Sequence, residues 1–223
     1  MQIPDRPNVG ANLIAIHMCI TRGIDVTIER SGTFQKEDFP DDSSRKGFVD
    51  YARTLVQVVD AHHMGEDEVA FPYLRSKVPD APYERLHADH EAILPVLKEL
   101  RRAADEVAHG AQIDRALNQL RDAALQLKNL WRPHIATEEE NFSPGLLAAR
   151  MEPAEQEQLT QALGADSQKR LDPPFLAMPF VLYNLPPQER AYLASTMPPM
   201  LTQQLVPVVW KDHWAPMKPF LLV

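Results

Sequence analysis

The sequence predicts an all-α protein. Residues 1–148 form an up-down-up-down four-helix bundle, and residues 149–223 form a helical, proline-rich extension packed on the bundle or on a partner. Three observations predict this. Glycine is scarce, strand-like alternation is rare, and Ala, Leu, Glu, Gln and Arg are common, all of which favour helix. Apolar residues recur at spacings of three and four along four successive segments. Eleven of the 20 prolines lie beyond residue 150, where the long periodic segments give way to short ones.

The first helix is read over about residues 9–30, with Leu13, His17, Ile20, Ile24 and Ile28 on one face. The linker SGTFQKEDFPDDSS follows. The second helix is read over about residues 44–77, with Pro72 near its end and a stripe of Leu55, Val59, His62, Glu66, Val69 and Tyr73. The third begins after Pro82 and ends near His109 and Gly110; its stripe is Leu86, His90, Ile93, Leu97, Leu100, Ala104 and Val107. The fourth is read over about residues 112–142. Its stripe contains Leu117, Leu120, Ala124, Leu127, Trp131, His134 and Glu138, and SPG ends it. In the extension, MEPAEQEQLTQALG reads as a fifth helix. LPPQERAYLASTM and MLTQQLVPVVWKDHWAPM read as two more, separated by proline breaks.

Bulk properties narrow the function classes. The chain has 223 residues, 44% hydrophobic and 24% charged, with a formal net charge of −8. Lys and Arg are scattered, so no footprint for nucleic acid or an acidic membrane is expected. No apolar stretch is read as approaching the roughly 20 residues that span a bilayer. Cys19 is the sole cysteine, which excludes a disulfide scaffold. The N-terminus does not read as a secretory signal, and a cytoplasmic location is the expectation.

Each of the four stripes carries polar residues where a core should be apolar. Buried polar groups are costly unless partnered. His17 and His90 each lie about eight residues into an odd-numbered helix, ~12 Å deep at ~1.5 Å per residue. The pairs His62/Glu66 and His134/Glu138 lie towards the ends of even-numbered helices, which run the opposite way. All six side chains therefore fall towards one end, at one level.

Residues i and i+4 of a helix share a face, so each HxxxE pair aims an imidazole and a carboxylate at one spot. Four histidines and two glutamates exceed a closed tetrahedral zinc site. They suit two first-row metal ions with bridging carboxylates: iron most naturally, with manganese or zinc as substitutes. Taken singly, a histidine on an apolar face is more often a satisfied core residue, and EDE at 66–68 reads as a solvated face. The conjunction carries the reading.

Other residues stand nearby. His63 and Asp67 form a second i, i+4 pair, one residue out of register with His62 and Glu66. The fragment HIATEEENFSP at 134–144 echoes HHMGEDEVAFP at 62–72 but matches either pair, depending on the alignment. The stripe through Leu55 and Val59 favours His62/Glu66. His63, His87, Asp67 and Glu139 are further ligands or supporting groups. Pro95 and Pro133 lie inside predicted helices close to His90 and His134.

The segments AHHMGEDEVAFPYL, LHADHEAILPVLKEL and WRPHIATEEENFSP together resemble the hemerythrin-like (HHE cation-binding) domain over about residues 9–148. The resemblance implies a four-helix bundle with a non-haem, oxo- or hydroxo-bridged di-iron centre at one end. It implies His17, His62, Glu66, His90, His134 and Glu138 as ligands, with Glu66 and Glu138 bridging. The oxygen-carrying members use HxxxH on the third helix and HxxxxD on the fourth. Here the spacings are His87/His90 and HxxxE, nearer to bacterial and iron-sensing members. The extension, with MPFVLYNLPPQERAYLASTMPP, is similar to one found in some bacterial members.

The expected function is binding of dioxygen, peroxide or nitric oxide for sensing, buffering or detoxification, or iron handling. One alternative is a redox enzyme that decomposes peroxide or reduces nitric oxide, similar to the iron–sulfur repair proteins. Another is a regulatory interaction protein whose bundle is ordered by metal. A homodimer through the extension is a further expectation.

Overall fold

A computed structural model describes residues 7–110 and 112–223, and every regular element among them is helical. Helix α1 (Val9–Glu37) is capped by Asn8, whose side chain accepts a hydrogen bond from the Ala11 amide at 3.0 Å. It runs seven residues past the expected end at Arg30, through Ser31 and Gly32. Phe34 explains the extension. It is buried and packs against Phe39 and Phe48, with ring centroids 4.2 and 5.3 Å away. Burying one such ring contributes ~1.5–3 kcal/mol, more than the ~1 kcal/mol a helical glycine costs. The helix stops at Asp38, whose φ of 58° no regular helix continues.

Helix α2 (Asp42–Gly65) is capped by Asp41, which accepts from the Ser44 amide at 2.7 Å. The single long helix expected over 44–77 is interrupted. A π-helical turn, Glu66–Ala70, leads into the short α3 (Phe71–Leu74), and the Phe71 amide donates to the Glu66 carbonyl. Helix α4 (Tyr83–His109) ends at Gly110, where a φ of 75° suits glycine. Helix α5 (Ile113–Asn141) completes the four long helices. Pro95 and Pro133 lie inside α4 and α5. Helix α1 packs on α5 and α2, and α4 packs on α5 and α2, so the four form a closed ring.

The extension comprises α6 (Pro144–Arg150), α7 (Pro153–Arg170), α8 (Pro174–Tyr183) and α9 (Pro187–Ser195). A π-helical segment (Leu201–Val209), α10 (Lys211–Trp214) and a 3-10 turn (Ala215–Phe220) follow. Helix α8, PFLAMPFVLY, is not expected from sequence: it is apolar all round and holds Pro179, so it shows no helical stripe. Its Phe180, with Leu185, Met217 and Phe220, shares one core with Ile20, Ile24, Leu55 and Val59 of the bundle. Buried polar ties reinforce the contact. Arg22 donates to Asn184 and to the Phe220 carbonyl, and the Tyr51 hydroxyl donates to Asn184 Oδ1 at 2.7 Å.

One expectation needs correction. Val9–Gln35 is long and apolar enough to cross a membrane by length and composition, contrary to the reading that no stretch approaches that size. Its face is used otherwise: more than half of its apolar window is buried inside the protein.

Candidate metal centre

Seven side chains from the four long helices and the π turn converge at the end of the main core. Helix α1 supplies His17, α2 supplies His62 and His63, and the π turn supplies Glu66. Helix α4 supplies His90, and α5 supplies His134 and Glu138. All but His62 are buried, and His62 is nearly so, at 9% side-chain exposure. Two groups can each hold an ion: His63, Glu66, His90 and His134 form one, and His17, His62, Glu66 and Glu138 the other. Within each, the candidate ligand atoms lie within 4.8 Å of one another. Glu66 belongs to both. Glu138 also reaches both: Oε2 lies 3.1 Å from His17 Nε2 and 3.3 Å from His134 Nε2, and Oε1 lies 3.9 Å from His90 Nε2.

Local geometry explains the convergence. Residues i and i+4 share a helix face, so His134 and Glu138 line up one turn apart, as do His62 and Glu66. His63 follows His62 by ~100° around the axis, so α2 presents a ring to each of the two groups. The π turn then winds more slowly than an α-helix, a feature frequent at functional sites. It lets Glu66 enter the cluster while Asp67 reaches round to α4.

The sequence-derived residues are therefore placed as follows. His17, His62, Glu66, His90, His134 and Glu138 are brought together. His63 joins them as a full member, so the choice between His62 and His63 dissolves. His87 does not join; it is 58% exposed and meets Asp67 at 3.1 Å. Asp67 and Glu139 stand just outside, each against a ring nitrogen that faces away from the cluster. Asp67 Oδ2 lies 3.0 Å from His90 Nδ1, and Glu139 Oε1 lies 2.9 Å from His17 Nδ1. Carboxylates behind ligand imidazoles fix ring orientation and tautomer.

Sequence reasoning missed three features. Asp89 Oδ2 lies 3.7 Å from His134 Nδ1, too long for a direct hydrogen bond. Trp131 floors the site: its ring centroid is 5.4 Å from that of His17 and 5.8 Å from those of His62, His63 and His134. Its Nε1 donates to Thr21 Oγ1 at 2.9 Å. Phe71 stacks on His90, at 5.8 Å and 14°. The doublet HHxxE was the sequence signal for His63; nothing in the pattern marked Trp131 as more than core.

Many buried polar atoms of these residues lack hydrogen-bond partners among the described residues. These are Nε2 of His17, His62 and His90, both ring nitrogens of His63 and His134, Glu66 Oε2 and both oxygens of Glu138. So many buried orphans would be strongly destabilising unless something else satisfied them. The electrostatics match. Burial, and then the neighbouring His17 and His90 rings, hold His62 and His63 well below the usual imidazole value. Burial also lowers His134, although Glu138 opposes it. These rings are neutral, as a metal ligand must be.

At His17 burial works downward, but the carboxylates of Glu138 and Glu139 outweigh it and raise the ring. Burial, and then Glu138, raise Glu66 well above the carboxylate range. Burial pushes Glu138 up too, yet His17, His134 and His90 outweigh it and hold it low. Two carboxylates this close share a site only if one keeps a proton or a cation lies between them. Five imidazoles and two carboxylates fit a pair of first-row ions, whose donor preferences they match.

No curated protein and no solved structure matches the chain. The family described as Hemerythrin HHE cation binding domain matches residues 24–146, just over half of the chain. That span holds six of the seven converging residues and leaves out His17 and everything after Leu146. With the buried His and Glu cluster at its centre, this chain belongs to the hemerythrin HHE cation-binding domain family.

Proposed function

We propose that the protein is a non-haem di-iron protein built on an up-down four-helix bundle. In this reading it binds dioxygen, peroxide or nitric oxide, for sensing, buffering or detoxification, or handles iron. One observation carries the reading: two four-residue groups of buried ligand atoms overlap at Glu66. His63, His90 and His134 would hold one ion, and His17 and His62 the other. Glu66 and Glu138 would lie between the two. The ions would supply electron transfer and an open coordination position for a small molecule.

The chain's own residues do the rest. Asp67 and Glu139 orient His90 and His17. Trp131 packs against the rings of His17, His62, His63 and His134, and Phe71 stacks on that of His90, so apolar surface covers part of the centre. Burial and then Glu138 push the Glu66 carboxyl well above the carboxylate range, so binding of a cation there would release a proton. The test is metal analysis of protein expressed in iron-rich medium, with absorption spectra before and after air. Two irons per chain and an oxygen-dependent charge-transfer band are expected. Iron-free protein from that medium overturns the reading.

The second reading is a redox enzyme turning over peroxide or nitric oxide. A cavity that opens on His62 and Glu66 favours it. Steady-state turnover of either compound, against stoichiometric saturation, separates the two readings.

A further inference from the structure

The extension and the bundle border a partly open cavity of about 250 Å³. Leu13 and Ile16 of α1, Val58 of α2, Leu163 of α7, Met178 of α8 and Leu193 of α9 contribute to its walls. Among the described residues no lysine or arginine lines it, and Glu66 is the one ionisable carboxylate on its walls. Along one wall it meets His62 and Glu66, so it abuts the candidate metal centre on the side the extension covers. His62 is the most exposed of the converging residues, at 9% of its side chain, and it faces this space. One further polar group stands out. Asn12 lines the cavity, and its Oδ1 is buried without a hydrogen-bond partner among the described residues. Its Nδ2 reaches Thr160 Oγ1 only at the long distance of 3.5 Å.

These features select a ligand class. An apolar cavity of ~150 Å³ stays dry and holds a benzene-sized molecule. By the same scale this one holds roughly ten heavy atoms. Among the described residues the walls offer an anion no lysine or arginine partner. Mostly apolar walls with a few convergent polar groups are the signature of a small-molecule site. The amide oxygen of Asn12 has no partner and is covered in this conformation; a turn of its side chain brings the amide to the cavity, where a donor on a ligand would satisfy it. We propose that this cavity binds a neutral, mainly apolar organic molecule of about ten heavy atoms bearing one hydroxyl or N–H, and holds it against His62 and Glu66. Binding stands on the cavity alone. Presentation of the molecule to a metal rests on the di-iron reading.

The test uses 1-octanol and its methyl ether as probes, titrated by calorimetry into the full chain, metal-free and metal-loaded. Saturable one-to-one binding of both probes to both forms is expected. Asn12→Leu should weaken the alcohol several-fold and leave the ether, which has no donor, unchanged. A Cβ added at Gly164, on the cavity rim, meets no atom within 4 Å, so a larger side chain is accommodated there. Gly164→Phe and Leu163→Trp should each weaken both probes at least ten-fold, with melting temperature and metal content kept.

In cobalt-loaded protein, octanol should shift the ligand-field absorption. Absence of saturable heat with either probe, or full binding in both filling variants, overturns the proposal. Octanol binding in a chain that takes up no metal sinks the di-iron reading and leaves the cavity standing. Full metal loading without octanol heat does the reverse.

Discussion

His63 stacks on His90, with ring centroids 4.1 Å apart and planes 13° from parallel. The stack joins α2 to α4 across the centre and holds His63 inside one of the two ligand groups. His87, the nearest alternative on α4, points outward to Asp67. His63→Ala should therefore roughly halve the bound metal, because one group loses a nitrogen while the other keeps all its donors. His87→Ala should leave the metal content unchanged. Elemental analysis of the purified variants decides; equal losses, or loss only with His87→Ala, would refute the assignment.

Asp67 acts through His90. Its Oδ2 lies 3.0 Å from His90 Nδ1 and so leaves Nε2 facing the centre. Loss of such a carboxylate behind a ligand imidazole lowers metal affinity by about 10–100-fold. Asp67→Ala should show a loss of that size in chelator competition, and Asp67→Asn a smaller one. Glu68 is the control. It pairs with Arg170 of α7 on the surface, away from the ring nitrogens, and Glu68→Ala should keep wild-type affinity.

The stripes made much of the centre legible. His17, His62, Glu66, His90, His134 and Glu138 each continue an apolar face, and a polar residue on such a face must meet a partner. His63 was harder to place because a regular helix turns it ~100° away from His62. Only the three-dimensional arrangement shows that both directions face ligand groups. The π turn at Glu66–Ala70 was illegible for a related reason, since it changes the phase of the pattern inside a continuous helical run, and Gly65 and Pro72 beside it mark a weak point without saying which way the helix winds. The end of α1 was misjudged because Ser31 and Gly32 signal a stop, while the burial of Phe34 against Phe48 and Phe220 overrides it. Helix α8 carries no periodic signal, being buried on most sides.

Protonation of the centre gives a test in metal-free protein. An unfolded histidine takes a proton near 6.5, whereas folded His63 is held well below that by burial. Between those two values the unfolded state binds the extra proton, so His63 lowers stability as pH falls below 6.5. Glu66 and His17, both raised, act in the opposite direction, so the net slope of the wild type is not diagnostic. The difference between two proteins is. Relative to wild type, metal-free His63→Leu should gain stability as pH falls from about 6.5 to 5, by up to about 1.4 kcal/mol per pH unit. Chemical denaturation at each pH measures it. A pH-independent difference would mean that His63 titrates normally in the folded protein.

Docking of the chain's end on the bundle depends on Gly47. A Cβ added there would stand 1.9 Å from the Pro216 carbonyl oxygen and 2.4 Å from its carbon, both of them backbone atoms. Neither can move without displacing the 3-10 turn that carries Met217 and Phe220 into the core shared with Phe48 and Tyr51. Overpacking of this kind costs about 1–3 kcal/mol, which opposes the ~1 kcal/mol of helix propensity gained by exchanging glycine for alanine. Gly47→Ala should therefore lower the melting temperature and expose residues beyond 210 to protease. At Gly145 an added Cβ meets nothing within 4 Å, so Gly145→Ala should leave stability unchanged or raise it. Metal content gives a further readout, because the ligand residues do not touch this turn. If Gly47→Ala is as stable and protease-resistant as wild type, the turn is not held against α2 in solution.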